Sequence, residues 1–273
     1  MNLNFVYTRE YDVVVCGLGS AGFTAAVMCG RLGMKTAAVE KYNMPGGVMT
    51  VLGNNSIDQF NNPFIPGDNL VIKGIGWEFV NRLAKSGNAV IPDMNVEYHG
   101  HWQYGVKVNP CAASAMMNRM ISESGADIYL GQNIVDTICS EHENGRSVDG
   151  VVISTKAGPA LLRAKMFIDC TGDADICAFS GFRCLTGDDG IVQPGNIYGG
   201  GHTEELPCHS SDSDKLTFDE IHARELLSEK KRDWFMCAPA IAPRESRRVV
   251  CRSMMSRDDY MTGKMYSDAI CYT

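Results

Sequence analysis

The stretch VVVCGLGSAG, Val13–Gly22, decides how the rest of the chain is read. An apolar run breaks into glycines at GxGxxG spacing (Gly17, Gly19, Gly22) and resumes as the helix-like FTAAVMCGRLG. The spacing alone recurs by chance in glycine-rich chains, so its context carries the weight. Tyr11–Cys16 is short, apolar and free of polar alternation, which predicts a buried strand. Ala21–Leu32 predicts a helix stopped by Gly33, and Thr36–Val39 a second strand ending at Glu40. An acidic residue about 20 positions past a strand–glycine–helix unit completes a dinucleotide-binding pattern. Gly17 then permits a tight turn, Gly19 lets the backbone approach a pyrophosphate, and Gly22 lets the helix pack on the strand. The amides of Ser20, Ala21 and Gly22 open the helix and offer an anion free donors at the positive end of the dipole. Glu40, with Lys41 beside it, is placed at the ribose.

NAD and FAD share this fingerprint. A flavin nucleotide extends past its pyrophosphate into a ribityl chain and a ring, and needs a second backbone-lined passage. Gly46–Gly47, inside a long loop over 42–62, suits that need, and FAD is the better fit.

Further along, a helix is expected over Gly76–Lys85, and Pro110 fits the first turn of another that runs to Ser124 and closes at Gly125. Asn133–Ser140, Ser147–Lys156 and Ala160–Ala164 read as a three-stranded meander, with the Asn-Gly of ENGR (Glu143–Arg146) as its first turn. Lys165–Cys170 returns as an apolar strand into TGDADICAFSG, a second strand–turn–helix. The fold class is α/β: a Rossmann-like domain with a parallel sheet and an inserted meander, from residues 1–50 and 110–185. An incomplete cap or substrate domain is expected from 51–109 and 186–273.

Bulk properties exclude several classes. The 273 residues carry 25 Lys and Arg against 32 Asp and Glu, a net charge of −7, with no basic stripe for nucleic acid. The densest basic run, Lys230–Arg232, reads as a solvated helix face. No window approaches ~20 uninterrupted apolar residues, so no membrane span is expected. The amino-terminal MNLNFVYTREYD lacks the basic and apolar regions of a secretory signal, which leads to a cytoplasmic expectation. The 11 cysteines are scattered without CxxC pairs or zinc spacing and read as reduced core residues, so no metal is expected.

The segment from Tyr11 to Thr50 resembles the opening of FAD-dependent oxidoreductases of the glutathione-reductase-type superfamily. Within that group it resembles the bacterial FAD-dependent oxidoreductase family related to fumarate-reductase flavoproteins. AKMFIDCTGDADICAFSG, GDDGIVQP and APRESRRVV resemble that family's later motifs. The resemblance implies that Gly17, Gly19 and Gly22 form the pyrophosphate turn and that Glu40 is the ribose acid. It further implies that Gly46, Gly47 and Thr50 lie beside the ribityl and flavin, and that Ile134 pairs backbone groups with adenine. Thr171, Gly172 and Asp173 would close over the nucleotide. Members of the family continue past PRESRR into a glycine-rich strand–helix segment. Nothing after it here resembles that segment, so the expectation is a shortened form or one completed by a partner chain.

Candidate chemistry is sparse, because a flavin ring performs the difficult step itself. Arg244 and Arg247, three apart, are candidate catalytic residues: one cationic face toward a substrate carboxylate or the reduced flavin. The competing use is internal pairing with carboxylates. His99 and His101 lack a third ligand, and the aspartates of Gly187–Gly190 fit a solvated turn. No GxSxG occurs, which disfavours a serine hydrolase. The expected function is FAD-dependent hydride transfer with a small organic substrate, electrons passing to a second substrate or a partner protein. Two alternatives stay open: a non-catalytic or partner-dependent subunit, homo- or hetero-oligomeric, that binds FAD or only its ADP part, and an NAD(P)-dependent dehydrogenase.

Overall fold

A computed structural model describes residues 4–58, 60–61, 70–93, 105–143, 145–185, 194–199, 202–207, 221–222, 247–251 and 256–264. It opens with β1 (Thr8–Cys16), α1 (Ser20–Arg31) and β2 (Thr36–Glu40). Short strands β3 (Ser56–Ile57), β4 (Ala89–Val90) and β5 (Val106–Val108) surround α2 (Gly74–Lys85). There follow α3 (Pro110–Glu123), β6 (Asp127–Leu130), β7 (Asn133–His142), β8 (Gly145–Thr155), β9 (Gly158–Asp169) and α4 (Asp175–Phe179). β10 (Cys184–Leu185), the hairpin β11–β12 (Pro194–Gly199, His202–Pro207) and β13 (Arg248–Val249) come after them.

The main sheet has six strands in the order β6-β2-β1-β9-β8-β7. The first four run parallel, and β8 lies antiparallel between β9 and β7. The third meander strand and the returning apolar strand, expected as two elements, are a single strand, β9. No glycine or proline interrupts Ala160–Cys170, so the backbone stays extended from the meander into the parallel sheet. Lys165, at the junction of the two expected strands, is exposed and pairs with Asp12 at 2.6 Å.

Strand β2 is buried at every position, and alternate residues of β1 face opposite layers. Val13 and Val15 pack on the side of α1, α2 and α3, with Phe23, Val27, Phe79, Val80 and Met117. There the Phe23 and Phe79 rings lie 5.4 Å apart, an arrangement worth about 0.5–1.5 kcal/mol beyond burial. Val14 and Cys16 pack instead with Val151, Ile153 and Ile134, so the antiparallel half coils across the back of the parallel half. Residues Phe60, Ile75 and Val106 from the 51–109 region share the first of these cores with β1 and α1.

Helix ends follow their local chemistry. The Asn109 side chain accepts from Ala112 N at 3.2 Å, with Pro110 in the first turn of α3. A separate three-stranded antiparallel sheet, β3-β5-β4, flanks the helical layer. Among the described residues no helix is long and apolar enough to cross a membrane. Lys230–Arg232, His99–Trp102, Gly187–Gly190, Asn144 and Arg244 lie outside the described residues.

Candidate functional site

The carboxyl ends of β1, β2 and β9 meet at one edge, where Cys16 is in register with Val39 on one side and Asp169 on the other. The chain leaves β1 toward β2 by one crossover and joins β9 on the other flank, so β1 is a switch point. Ligands of open parallel sheets bind in the crevice outside the strand ends at such a point. A cleft of about 500 Å³ lies there, a size typical of ligand pockets.

Its floor is the first turn. Gly17 has φ +88°, and a Cβ there would overlap the carbonyl of Cys170. A Cβ on Gly22 would overlap the carbonyl oxygen of Gly17, which is how closely helix and turn approach. Gly19 differs, because an added Cβ meets nothing within 4 Å and would project into open space. Helix α1 begins here with no side-chain cap, its first bond running from Phe23 N to Gly19 O at 2.9 Å. The amides ahead of Phe23 therefore have no helical acceptor.

Glu40 ends β2 with its carboxylate buried, a costly position unless its oxygens find donors. Leu18 N donates to Oε2 at 2.7 Å and Tyr42 N to Oε1 at 3.0 Å, leaving further lone pairs on each oxygen. The glycine loop is tied back by Gly46 N to Leu18 O at 2.7 Å, and a Cβ on Gly47 would sit 3.3 Å from Gly19 Cα. Thr50 turns inward, donating its hydroxyl to Pro45 O at 2.7 Å to close this loop.

The opposite wall is the second turn, and side chains shape it. Asp169 accepts from Thr171 N (3.1 Å), Thr171 Oγ1 (2.7 Å) and Cys177 N (3.1 Å). The Thr171 hydroxyl in turn accepts from Asp175 N at 2.9 Å. Ala174 adopts the left-handed conformation with φ 52° before α4. Arg247 donates to Asp173 O at 2.8 Å and to Asp175 Oδ1 at 2.6 Å, holding the turn from behind. Across the mouth, Lys41 Nζ stands 3.7 Å from Asp173 Oδ2.

Gly17, Gly19, Ser20, Ala21, Glu40, Lys41, Gly46, Gly47, Ile134, Thr171, Gly172 and Asp173 all line this one cleft. Gly22 and Thr50 do not; one packs beneath the turn and the other braces the loop. Arg247 is likewise absent from the cleft wall, its guanidinium engaged with the second turn. Sequence reasoning missed the apolar wall of Val48, Met49, Leu52 and Ile57, and also Ser56, Gln132 and Asp175. A signal for the wall existed in the apolar VMTVLG after Gly47, but nothing local marked Gln132, which sits between two strands.

Three thiols belong to these elements: Cys16 ends β1, Cys170 follows β9 on the cleft wall, and Cys177 lies in α4. Burial, with the charge of Asp169, pushes Cys170 up and Cys177 up to about 11, and burial raises Cys16 well above its ordinary value. They stay protonated near neutrality and are poor nucleophiles. Among the described residues no group of His, Cys, Asp or Glu is arranged to hold a metal.

The chain is similar to known proteins. Residues 12–236 match the family described as FAD dependent oxidoreductase. The chain belongs to that family, whose cofactor is FAD. Over 37 residues it is 51% identical to dihydrolipoyl dehydrogenase of Bacillus subtilis, an alignment spanning 14% of this chain and 8% of that enzyme. Over 229 residues it is 26% identical to thiamine thiazole synthase of Sulfolobus acidocaldarius, covering 80% of this chain and 71% of that one. Among solved structures it is similar to Thermovibrio ammonificans THI4, with 19% identity and a TM-score of 0.44, covering 64% of each chain. A geranylgeranyl bacteriochlorophyll reductase-like protein of Thermoplasma acidophilum has 20% identity and a TM-score of 0.48, covering 70% of this chain and 47% of its own.

The residues present fit FAD. Gly19 leaves open the space that a side chain would fill, beside amides without helical acceptors and a buried carboxylate with spare lone pairs. Gly46–Gly47 and the apolar wall continue the same cleft beyond that point.

Proposed function

We propose that this chain is an enzyme that holds FAD in the cleft at the strand ends and uses it to oxidise or reduce a small organic substrate. The observation that carries the reading is the open space at Gly19, flanked by the helix amides and by Glu40. Bound FAD supplies hydride transfer at its ring. The amides of Ser20, Ala21 and Gly22 would take the pyrophosphate oxygens, and Glu40 the ribose hydroxyls, each with donors or acceptors already oriented. Ile134, on the edge strand β7, would face adenine with backbone groups. Gly46 and Gly47 admit the ribityl chain, and Thr171, Gly172 and Asp173 cover it from the other side. Met49, Leu52 and Ile57, with Val48 at the exposed rim, would present an apolar wall to the flavin at the far end of the cleft. Arg247 acts in this scheme as a positioning residue for the second turn. Electrons leave to a second small molecule or to a partner protein.

The visible absorption spectrum of the purified chain tests the reading. Flavin bands, with FAD released in equimolar amount and bleached by added substrate, are expected. A colourless protein that takes up no added FAD would sink it.

A further inference from the structure

Helix α4 brings Asp175 to the cleft wall, yet it has only 5 residues. A helix so short is not stable in itself, so its place depends on what ties it. Arg247 holds its front, at Asp173 O and Asp175 Oδ1. Its rear closes at Gly181, whose φ of +76° brings its N–H to Ala178 O at 3.0 Å, while Phe182 N reaches Cys177 O at 2.9 Å. The carbonyl of Ser180 takes its donor from elsewhere, a side chain 34 residues earlier: Arg146 NH1, at 2.7 Å.

Arg146 stands at the start of β8, at the tip of the meander, and does not line the cleft. Its Nε donates at 2.6 Å to Oε1 of Glu141, its register partner on β7, so the guanidinium is oriented from its own hairpin. It passes close over Gly181, where a Cβ would stand 2.5 Å from NH1. Ser180 itself is buried and donates its hydroxyl to Thr137 Oγ1 on β7 at 3.2 Å. Ile176, in the middle of α4, shares a core with Val151 and Ile153 of β8. The rear of α4 is therefore built on the meander, and the front on Arg247.

We propose that Arg146 is a positioning residue for the dinucleotide, setting α4 from the meander tip and, through it, the second turn over the cleft. The inference rests on FAD occupying that cleft. It deepens that reading by giving the meander a part in binding, through a side chain that touches no ligand.

The full chain, freed of bound nucleotide, is titrated with FAD, following quenching of flavin fluorescence. Arg146→Ala is expected to weaken binding about fivefold, the value of one hydrogen bond. Arg146→Met carries the same comparison if the alanine variant does not fold. Arg146→Lys keeps a donor for Ser180 O and should recover most of the loss. Arg119→Ala removes the same charge from an exposed position on α3 and should leave affinity unchanged. Combined with Arg247→Ala, the Arg146→Ala loss should be smaller than it is alone, because both arginines act on one short helix. At saturating FAD, the visible circular dichroism of the flavin reports how it is held rather than how stable the chain is. That signal should change in Arg146→Ala and return in Arg146→Lys. Wild-type affinity or an unchanged dichroism in Arg146→Ala, an equal loss in Arg119→Ala, or losses that simply multiply with Arg247→Ala overturn the inference and leave FAD in the cleft. A wild-type chain that binds no FAD overturns the functional reading and this inference with it.

Discussion

The two turns that face each other across the cleft follow adjacent parallel strands, β1 and β9, yet they are built by opposite means. The first is made of absent side chains: Gly17, Gly19 and Gly22 let backbone approach backbone and leave one open space. The second is made of present ones: Asp169, Thr171 and Arg247 hold a turn that carries a left-handed alanine. A turn of the first kind fails by addition. A turn of the second kind fails by removal, and by smaller steps, because several bonds share the work.

The largest effect should come from the first turn. Gly22→Ala drives a methyl group into the Gly17 carbonyl, and a loss of about 3 kcal/mol is expected in chemical denaturation. Gly19→Ala sharpens the contrast: it meets no protein atom, so stability should hold within about 0.5 kcal/mol. FAD binding should nevertheless be lost, because the methyl group occupies the open space. A Gly19→Ala protein that binds FAD normally would remove the turn from the site.

In the second turn, Asp169→Ala leaves three donors unpaired, and about 2–3 kcal/mol should be lost. Arg247→Ala should cost about 1 kcal/mol, because this pair is partly solvated and screened. Its FAD affinity should fall less than that of Gly19→Ala, by titration under the same conditions. If Arg247→Ala instead keeps affinity while abolishing turnover, the arginine touches the reaction directly.

Ala174→Gly runs the other way. The left-handed conformation is strained for alanine and free for glycine, while glycine adds entropy to the unfolded chain. A net gain of about 0.5 kcal/mol should appear as a raised denaturation midpoint. The smallest effect is a matter of pH. With its pKa pushed up to about 11, Cys177 should resist alkylation near neutrality and react faster with each step of rising pH. Asp169→Asn removes a negative charge and a bond that raise that value, so its labelling should begin at lower pH.

The same contrast explains what could be seen in the sequence. The first turn was legible because its message is local: spacing, a strand before, a helix after and Glu40 on the next strand. The start of α3 was legible for the same reason, Pro110 standing in the first turn of the helix it opens, whereas the Asn109 cap came from the structure. Arg247 was left between two uses because its partner, Asp175, lies 72 residues away. The Thr50 hydroxyl finds a carbonyl five residues back and so braces the glycine loop, a bond the motif does not announce. Ala160–Ala164 and Lys165–Cys170 were expected as two strands, and only the sheet pairing shows that they form one, with Lys165 on an exposed position.

Strand β1 also sets an order of events in time. Its pairing with β2 closes a short loop, whereas its pairing with β9 joins Cys16 to Asp169 across more than half the chain. Contacts so far apart in sequence form late, and on a ribosome the first unit emerges long before its other neighbour exists. During that interval the glycine turn has its anion-attracting amides but no opposite wall. A dinucleotide held between both turns, as proposed, needs β9 in place, so a supply of FAD would stabilise the finished chain rather than its nascent half.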